Sequence, residues 1–205
     1  MIRGDIRRMN FTRKNIVIAK LESKVAELKK ILPNEAFDFK DFYFAGGCIY
    51  SLWNGNEPKD YDLFCRNRKA ANRLLNYFKQ NREKCNIITE NAISMGEFQF
   101  IVKHIGKPEV QVGRFDFKHN MFFYDGNDFV ALVDWKYLES KKLEFNSARA
   151  RNVLNILSRI PKFIERGMEI SQSEIYSILE CGTRPTRIIG ERISVKRFIN
   201  KKNSY

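Results

Sequence analysis

The sequence predicts an α/β protein, a small mixed sheet flanked by helices, followed by a helical C-terminal appendage. Three observations carry this. An amphipathic helix leads, two strands bracket a Gly-Gly pair and a turn, and helical spacing takes over after residue 130. The chain has 205 residues, 43% of them apolar, which suffices for one domain of catalytic size and a smaller part, against a typical domain of about 100–150 residues. We therefore expect a basic arm (1–14), a head (15–130) and a helical appendage with a basic tail (131–205).

Residues 1–14 hold Arg3, Arg7, Arg8, Arg13 and Lys14 against the single acid Asp5, without a sustained apolar period. From Asn15 the apolar positions Ile18, Leu21, Val25, Leu28 and Leu32 recur at three- and four-residue steps, and Pro33 stops the helix they define. Phe42-Tyr43-Phe44-Ala45 reads as a strand ending at Gly46-Gly47, followed by a short helix over about 48–53. Asn54-Gly55-Asn56 and Pro58 mark a turn before the strand Tyr61 to Cys65. Arg68 to Lys84 is a helix with Ala71, Leu74, Leu75 and Phe78 inward, and six Lys or Arg against one Glu on the remainder.

Phe98 to His104 and Gln111 to Tyr124 are strand-like, and the turn Gly106-Lys107-Pro108 between them predicts an antiparallel pair. From Ala131 the pattern is helical to about Ile170, with breaks at Asn146-Ser147 and Pro161, and the tail from Arg184 holds seven Lys or Arg and one Glu.

Thirty-seven Lys and Arg against twenty-four Asp and Glu leave a net charge of +13, and seventeen Phe and eight Tyr set that charge on a packed core rather than on a disordered chain. Polyphosphate or nucleic acid is the expected partner of such a surface. Cys48, Cys65, Cys85 and Cys181 form no Cys-x-x-Cys pair, which argues against zinc. No apolar run approaches the roughly 18 residues that cross a bilayer, and the start of the sequence lacks a signal-peptide core. No membrane partner and a reducing cytoplasm are expected.

The stretch from Ala45 to Phe64 carries the chemistry. Asp60 and Asp62 stand two apart in a strand, so both carboxylates project from one face and can share a hard divalent cation. Gly46 and Gly47, between a strand and a helix, let backbone N–H groups approach a phosphate. Singly, a Gly-Gly is a turn and an Asp-x-Asp a pair of solvated acids. In the order strand, Gly-Gly, helix, turn, Lys-Asp-x-Asp they suit a metal-bound nucleoside triphosphate.

Here the chain resembles the polymerase-β-like nucleotidyltransferase superfamily, and within it the head of CCA-adding enzymes and bacterial poly(A) polymerases. Their motif GGxxRDxxxGxxPKDxD is matched without a gap by Gly46, Gly47, Gly55, Pro58, Lys59, Asp60 and Asp62. Tyr50-Ser51 stands where the family has Arg-Asp. A fainter similarity covers Arg159 to Ile170, which looks like the family's neck helix with one residue deleted.

The resemblance implies a nucleotidyltransferase-type sheet that moves a nucleoside monophosphate from an NTP to an acceptor hydroxyl. Asp60, Asp62 and a third carboxylate would hold two Mg²⁺ ions. Alternation over Arg114 to Lys118 offers Asp116 as the third, against the alternative of an ion pair with Arg114 or Lys118. Lys59 is implied at the nucleotide, while Arg159, Lys162 and Arg166 could reach the triphosphate. Asp125 reads as a turn residue, His119 as structural, and Trp53 and Trp135 as packing. RNA, such as a tRNA 3′ end, is the expected acceptor. A toxin-like transferase that modifies a protein or small molecule, and a non-catalytic RNA-binding module, are the alternatives.

Overall fold

A computed structural model of the chain describes residues 2–147 and 152–183. Its sheet is built on β1 (Phe42–Ala45), whose four residues are all buried because both faces are covered. Phe42 and Phe44 enter the larger core, while Tyr43 and Ala45 enter a smaller one behind it. This accounts for an unbroken aromatic strand where a half-exposed one would alternate with polar residues.

Seven strands lie in the order β3-β4-β5-β2-β1-β6-β7. They are β2 (Tyr61–Cys65), β3 (Ile87–Ile88), β4 (Ala92–Met95), β5 (Phe98–Ile101), β6 (Phe122–Tyr124) and β7 (Phe129–Ala131), beside β1. All neighbours are antiparallel except β2 and β5, where Asp62 stands opposite Gln99. A parallel pair needs a crossover, supplied by α3 (Arg68–Gln80) and the short hairpin β3–β4. Asn67 caps α3, its side chain accepting from the Ala70 N–H at 2.8 Å, and Ala70, Ala71, Leu74 and Phe78 turn inward.

The expected hairpin of 98–104 with 111–124 does not form. β5 pairs instead with β4 and β2, and Pro108 opens the helix α4 (Pro108–Val112), where its missing N–H costs nothing. Only the end of the second stretch is a strand, β6 beside β1.

The leading helix α1 runs Ile2–Ile31, so the segment expected as an arm is the N-terminal half of that helix. Arg and Lys are good helix formers, and a helix continues where no packing surface demands an apolar period. Val17, Leu21, Val25 and Leu28 bury its face. With α2 (Gly47–Trp53) and α3 it covers the same side of the sheet.

The appendage is not the long helical run expected from residue 131. It holds α5 (Lys136–Glu139), α6 (Val153–Leu157), α7 (Ile160–Ile164) and α8 (Gln172–Thr183), and Pro161 lies in the first turn of α7 rather than breaking it. Phe117, Leu143, Phe145, Ile160, Phe163 and Ile178 give this part its own core. Tyr50 packs against both this core and the main one, its hydroxyl donating to the Ser140 carbonyl at 2.9 Å. Asn54 adds a bond from its Nδ2 to the Leu138 carbonyl at 2.9 Å. The basic tail from Arg184 lies outside the described residues. Among the described residues no helix is long and apolar enough to cross a membrane.

Candidate active site

The alternation of β2 sends Tyr61, Leu63 and Cys65 into the main core and leaves Asp62 on the other face, beside Phe64. Across from it, β1 ends at Gly46, which has φ 85°, a left-handed conformation that a side chain rarely adopts. A Cβ there would lie 3.8 Å from Asp62 Oδ2 and 3.6 Å from the Phe115 ring. The glycine therefore lets the chain turn into α2 directly over the carboxylate. A Cβ on Gly47 would stand 4.0 Å from a guanidinium nitrogen of Arg166, so the loop after α7 closes the same corner.

Asp62 is half-buried, and its carboxyl titrates near 7 rather than at the usual 3.8. Burial is the main cause and the charge of Asp60 the second, while Lys162 and Arg166 pull the other way. Burial and the charge of Asp62 also push the Cys48 thiol up, and that thiol donates to the Ala45 carbonyl at 3.6 Å. The charge of exposed Asp60, just before β2, thus bears on a second carboxyl that is short of water. Hard carboxylate oxygens in that state suit a divalent cation such as Mg²⁺.

Asp60 and Lys59 are exposed just before the strand, and Lys162 is exposed on α7. Asp116 is placed differently from the expected strand neighbour. It lies between α4 and β6, where Phe117 bridges to Phe145 and Asn146 fastens the segment through its Nδ2 to the Gly113 and Phe115 carbonyls, at 3.1 and 2.9 Å. Its Oδ2 accepts from Arg159 Nη1. An ion pair with Arg114 or Lys118 was the alternative for Asp116; the structure pairs it with the more distant Arg159, and Lys118 with Glu144 at 3.1 Å. Among the described residues, no three His, Cys, Asp or Glu side chains are grouped to hold a metal.

His119 is buried in a box of Tyr50, Phe117 and Phe163 rings, and burial, helped by the charge of Arg166, pushes its pKa down to about 3. It packs in the core as part of a single helical turn, Lys118–Asn120, and not on the strand that the sequence suggested. Trp53 stacks near Trp135 at 5.4 Å in the core. Asp125 is a turn residue, accepting from the Asn127 and Asp128 N–H groups, and it also pairs with Arg66 at 3.1 Å. Asn146 was legible only as a helix break; its work as a clamp depends on contacts far away in sequence.

The sheet and its flanking helices have the fold of nucleotidyltransferase head domains. A CCA-adding enzyme solved in complex with CTP is similar at a TM-score of 0.50 and 12% identity, covering 82% of this chain and 45% of that one. The Thermotoga maritima CCA-adding enzyme complexed with tRNA gives 0.49 and 14%, over 75% of this chain and 44% of that one. The profile of the Gabija anti-defense 2 (Gad2) family matches residues 19–142, and the chain belongs to that family. A protein of Bacillus phage SPbetaL7 described as Gabija anti-defense 2 is 28% identical over 164 residues, which are 72% of this chain and 39% of the phage protein. The chain therefore spans well under half the length of that relative.

Proposed function

We propose that the protein is a metal-dependent nucleotidyltransferase that moves a nucleoside monophosphate from an NTP to an acceptor hydroxyl on RNA, and that this reaction serves the anti-defense role named for its relative. The observation that carries the reading is the Asp62 carboxyl beneath Gly46, kept from its ordinary ionisation by burial and by the charge of Asp60 two residues before it. In the balanced step the acceptor oxygen bonds to the α-phosphorus, the bond from that phosphorus to the bridging oxygen breaks, and pyrophosphate leaves.

Asp60 and Asp62 would hold two Mg²⁺ ions, with Asp116 as the third ligand when Arg159 turns from it to the triphosphate. When bound, such ions neutralise the triphosphate and stabilise the leaving pyrophosphate. The chain's own groups do the rest. Gly46 and Gly47 leave room for the phosphates, Lys59, Lys162 and Arg159 oppose their charge, and Asp116 takes the acceptor's proton. Positioning and charge, rather than a protein nucleophile, account for catalysis.

A second reading, a binding module that keeps the fold without catalysis, is favoured by the Arg159–Asp116 pair and by Tyr50 in place of the family's Arg. One experiment separates the two. The protein and its Asp62→Asn variant are each incubated with labelled NTPs, Mg²⁺ and total RNA, and expressed in bacteria carrying Gabija during phage challenge. Catalysis predicts label on RNA and phage rescue, both lost in the variant. Rescue by the variant at the wild-type level overturns it in favour of binding.

A further inference from the structure

The open groove beside the head lies away from the carboxylates. It runs between the C-terminal end of α1, the end of α3 and the β4–β5 turn, as two adjoining hollows of about 610 and about 480 Å³ that share Ile31 and Lys84. Its acids are already spoken for: Glu27 and Glu97 both accept from Lys24 Nζ, the first at 3.1 Å. Its other cations are not. Among the described residues no carboxylate lies within 4 Å of the ammonium of Lys29, Lys30 or Lys84. The groove therefore carries a net positive charge despite two glutamates in its wall.

Between the cations lie apolar and aromatic surfaces. Lys84 Nζ donates to the Tyr77 hydroxyl at 2.9 Å, 5.4 Å from the ring centroid, so it sits beyond the hydroxyl at the ring's edge. Ile31 is 46% exposed, although it faces a hollow lined by Met95 and Phe98. A surface that alternates ammonium groups with a ring and bare aliphatic carbon matches a single-stranded nucleic acid, whose phosphates and bases alternate in the same way. The groove opens on the α1 and α3 side of the sheet, the opposite face to Asp62, and meets the acids only round the sheet's end. Tyr61, next after Asp60, donates its N–H to the Glu97 carbonyl at 2.8 Å, so the β4–β5 turn forms one rim of both places.

We propose that this groove, through Lys29, Lys30, Lys84 and Tyr77, holds a single-stranded segment of the nucleic acid whose end is offered to Asp60 and Asp62. The inference rests on the reading of the acceptor as nucleic acid and adds where that acceptor lies. An acidic peptide would be attracted by the lysines alone and has no counterpart to the ring and the aliphatic surface.

The test is fluorescence anisotropy of a labelled oligonucleotide of about 12 nucleotides, as RNA and as DNA, against the full chain across a salt series. Neutralising Lys29, Lys30 and Lys84 to Gln removes the same formal charge as Lys136→Gln, Lys141→Gln and Lys142→Gln on the appendage. Each phosphate contact contributes a slope of about −0.7 in log K against log salt, so the groove variant should lose about 2 from the slope and at least tenfold in affinity at low salt. The appendage variant should lose much less. Equal losses in both variants, or displacement of the oligonucleotide by a short poly-glutamate at matched charge, overturn the proposal. NTP binding, measured separately with a fluorescent analogue, should be the same in the groove variant. If NTP binds and no oligonucleotide does, the groove assignment falls while the nucleotide site stands.

Discussion

Arg159 and Asp116, 43 residues apart, hold each other by a charged hydrogen bond from the guanidinium to the carboxylate. The acid is 11% exposed and the base 60%, so the pair fastens the α6–α7 connection to the segment between α4 and β6. Both residues were expected to serve a nucleotide, one through a metal and one directly. In the structure they are paired with each other.

A double-mutant cycle over Asp116→Asn and Arg159→Gln should therefore show a coupling of about 1 kcal/mol in urea unfolding, since a pair with one open side is screened by water. Single substitution of Arg159 should cost more than that of Asp116, because it takes this guanidinium from the less exposed carboxylate, whereas the guanidinium left by Asp116→Asn is open to water. Additive losses would mean that the pair does not bind the appendage to the head.

Tyr50 makes a second fastening. Its hydroxyl reaches the Ser140 carbonyl at 2.9 Å while its ring stands at 5.0 Å from His119. Tyr50→Phe keeps the ring and removes the bond, so it should cost about 1 kcal/mol and lower the melting temperature by about 2–4 °C. Hydrogen exchange should quicken in α5 and the residues after it more than in the sheet. Uniform quickening would show that Tyr50 stabilises the whole fold rather than the junction.

The parts legible in the sequence are those fixed by local chemistry. The five apolar positions from Ile18 to Leu32, the inward face of α3 and the turn with glycine at 46 need only near neighbours, and the structure keeps them. β3, β4 and β7 were missed because they are two to four residues long and carry no alternation long enough to read. Asp116 was placed on a regular strand because Arg114 to Lys118 alternates, yet its backbone is set by Asn146 and Glu144, some thirty residues further on. Two-residue spacing put Asp60 and Asp62 forward together, although the strand starts only at Tyr61, whereas the partner of Asp116 depends on tertiary packing, which no spacing records.

His119 gives a prediction in acid. Its ring is 2% exposed, its Nδ1 has no hydrogen-bond partner, and its pKa is pushed down to about 3 from an ordinary 6.5. A histidine that resists protonation when folded takes up its proton more readily when unfolded, so stability is full above about pH 6.5 and is lost as pH falls toward 3. At about pH 4.5 the loss attributable to this residue should be about 2–3 kcal/mol. His119→Phe fits the same aromatic box and should flatten that part of the pH profile. A variant that loses stability in acid as steeply as the wild type would assign the acid sensitivity to other groups.

Asp62 predicts the opposite slope. Its carboxyl titrates near 7 when folded and near 3.8 when not, so the folded state keeps a proton that the unfolded state gives up, and stability falls as pH rises between those values. The full linkage at about pH 8 is about 4 kcal/mol, and water at the half-open site reduces it, so we expect about 2. Asp62→Asn carries no charge at any pH and should therefore be more stable than the wild type by about 2 kcal/mol at about pH 8, with the gain shrinking to nothing by about pH 4. Mg²⁺ should reverse the comparison, because a cation that binds the ionised pair stabilises the folded wild type by mass action and leaves the variant little changed. Thermal melts of both proteins at the two pH values, with and without millimolar Mg²⁺, measure all four quantities. Stabilisation by Mg²⁺ that is equal in the two proteins would place the cation elsewhere and remove Asp62 from its ligands.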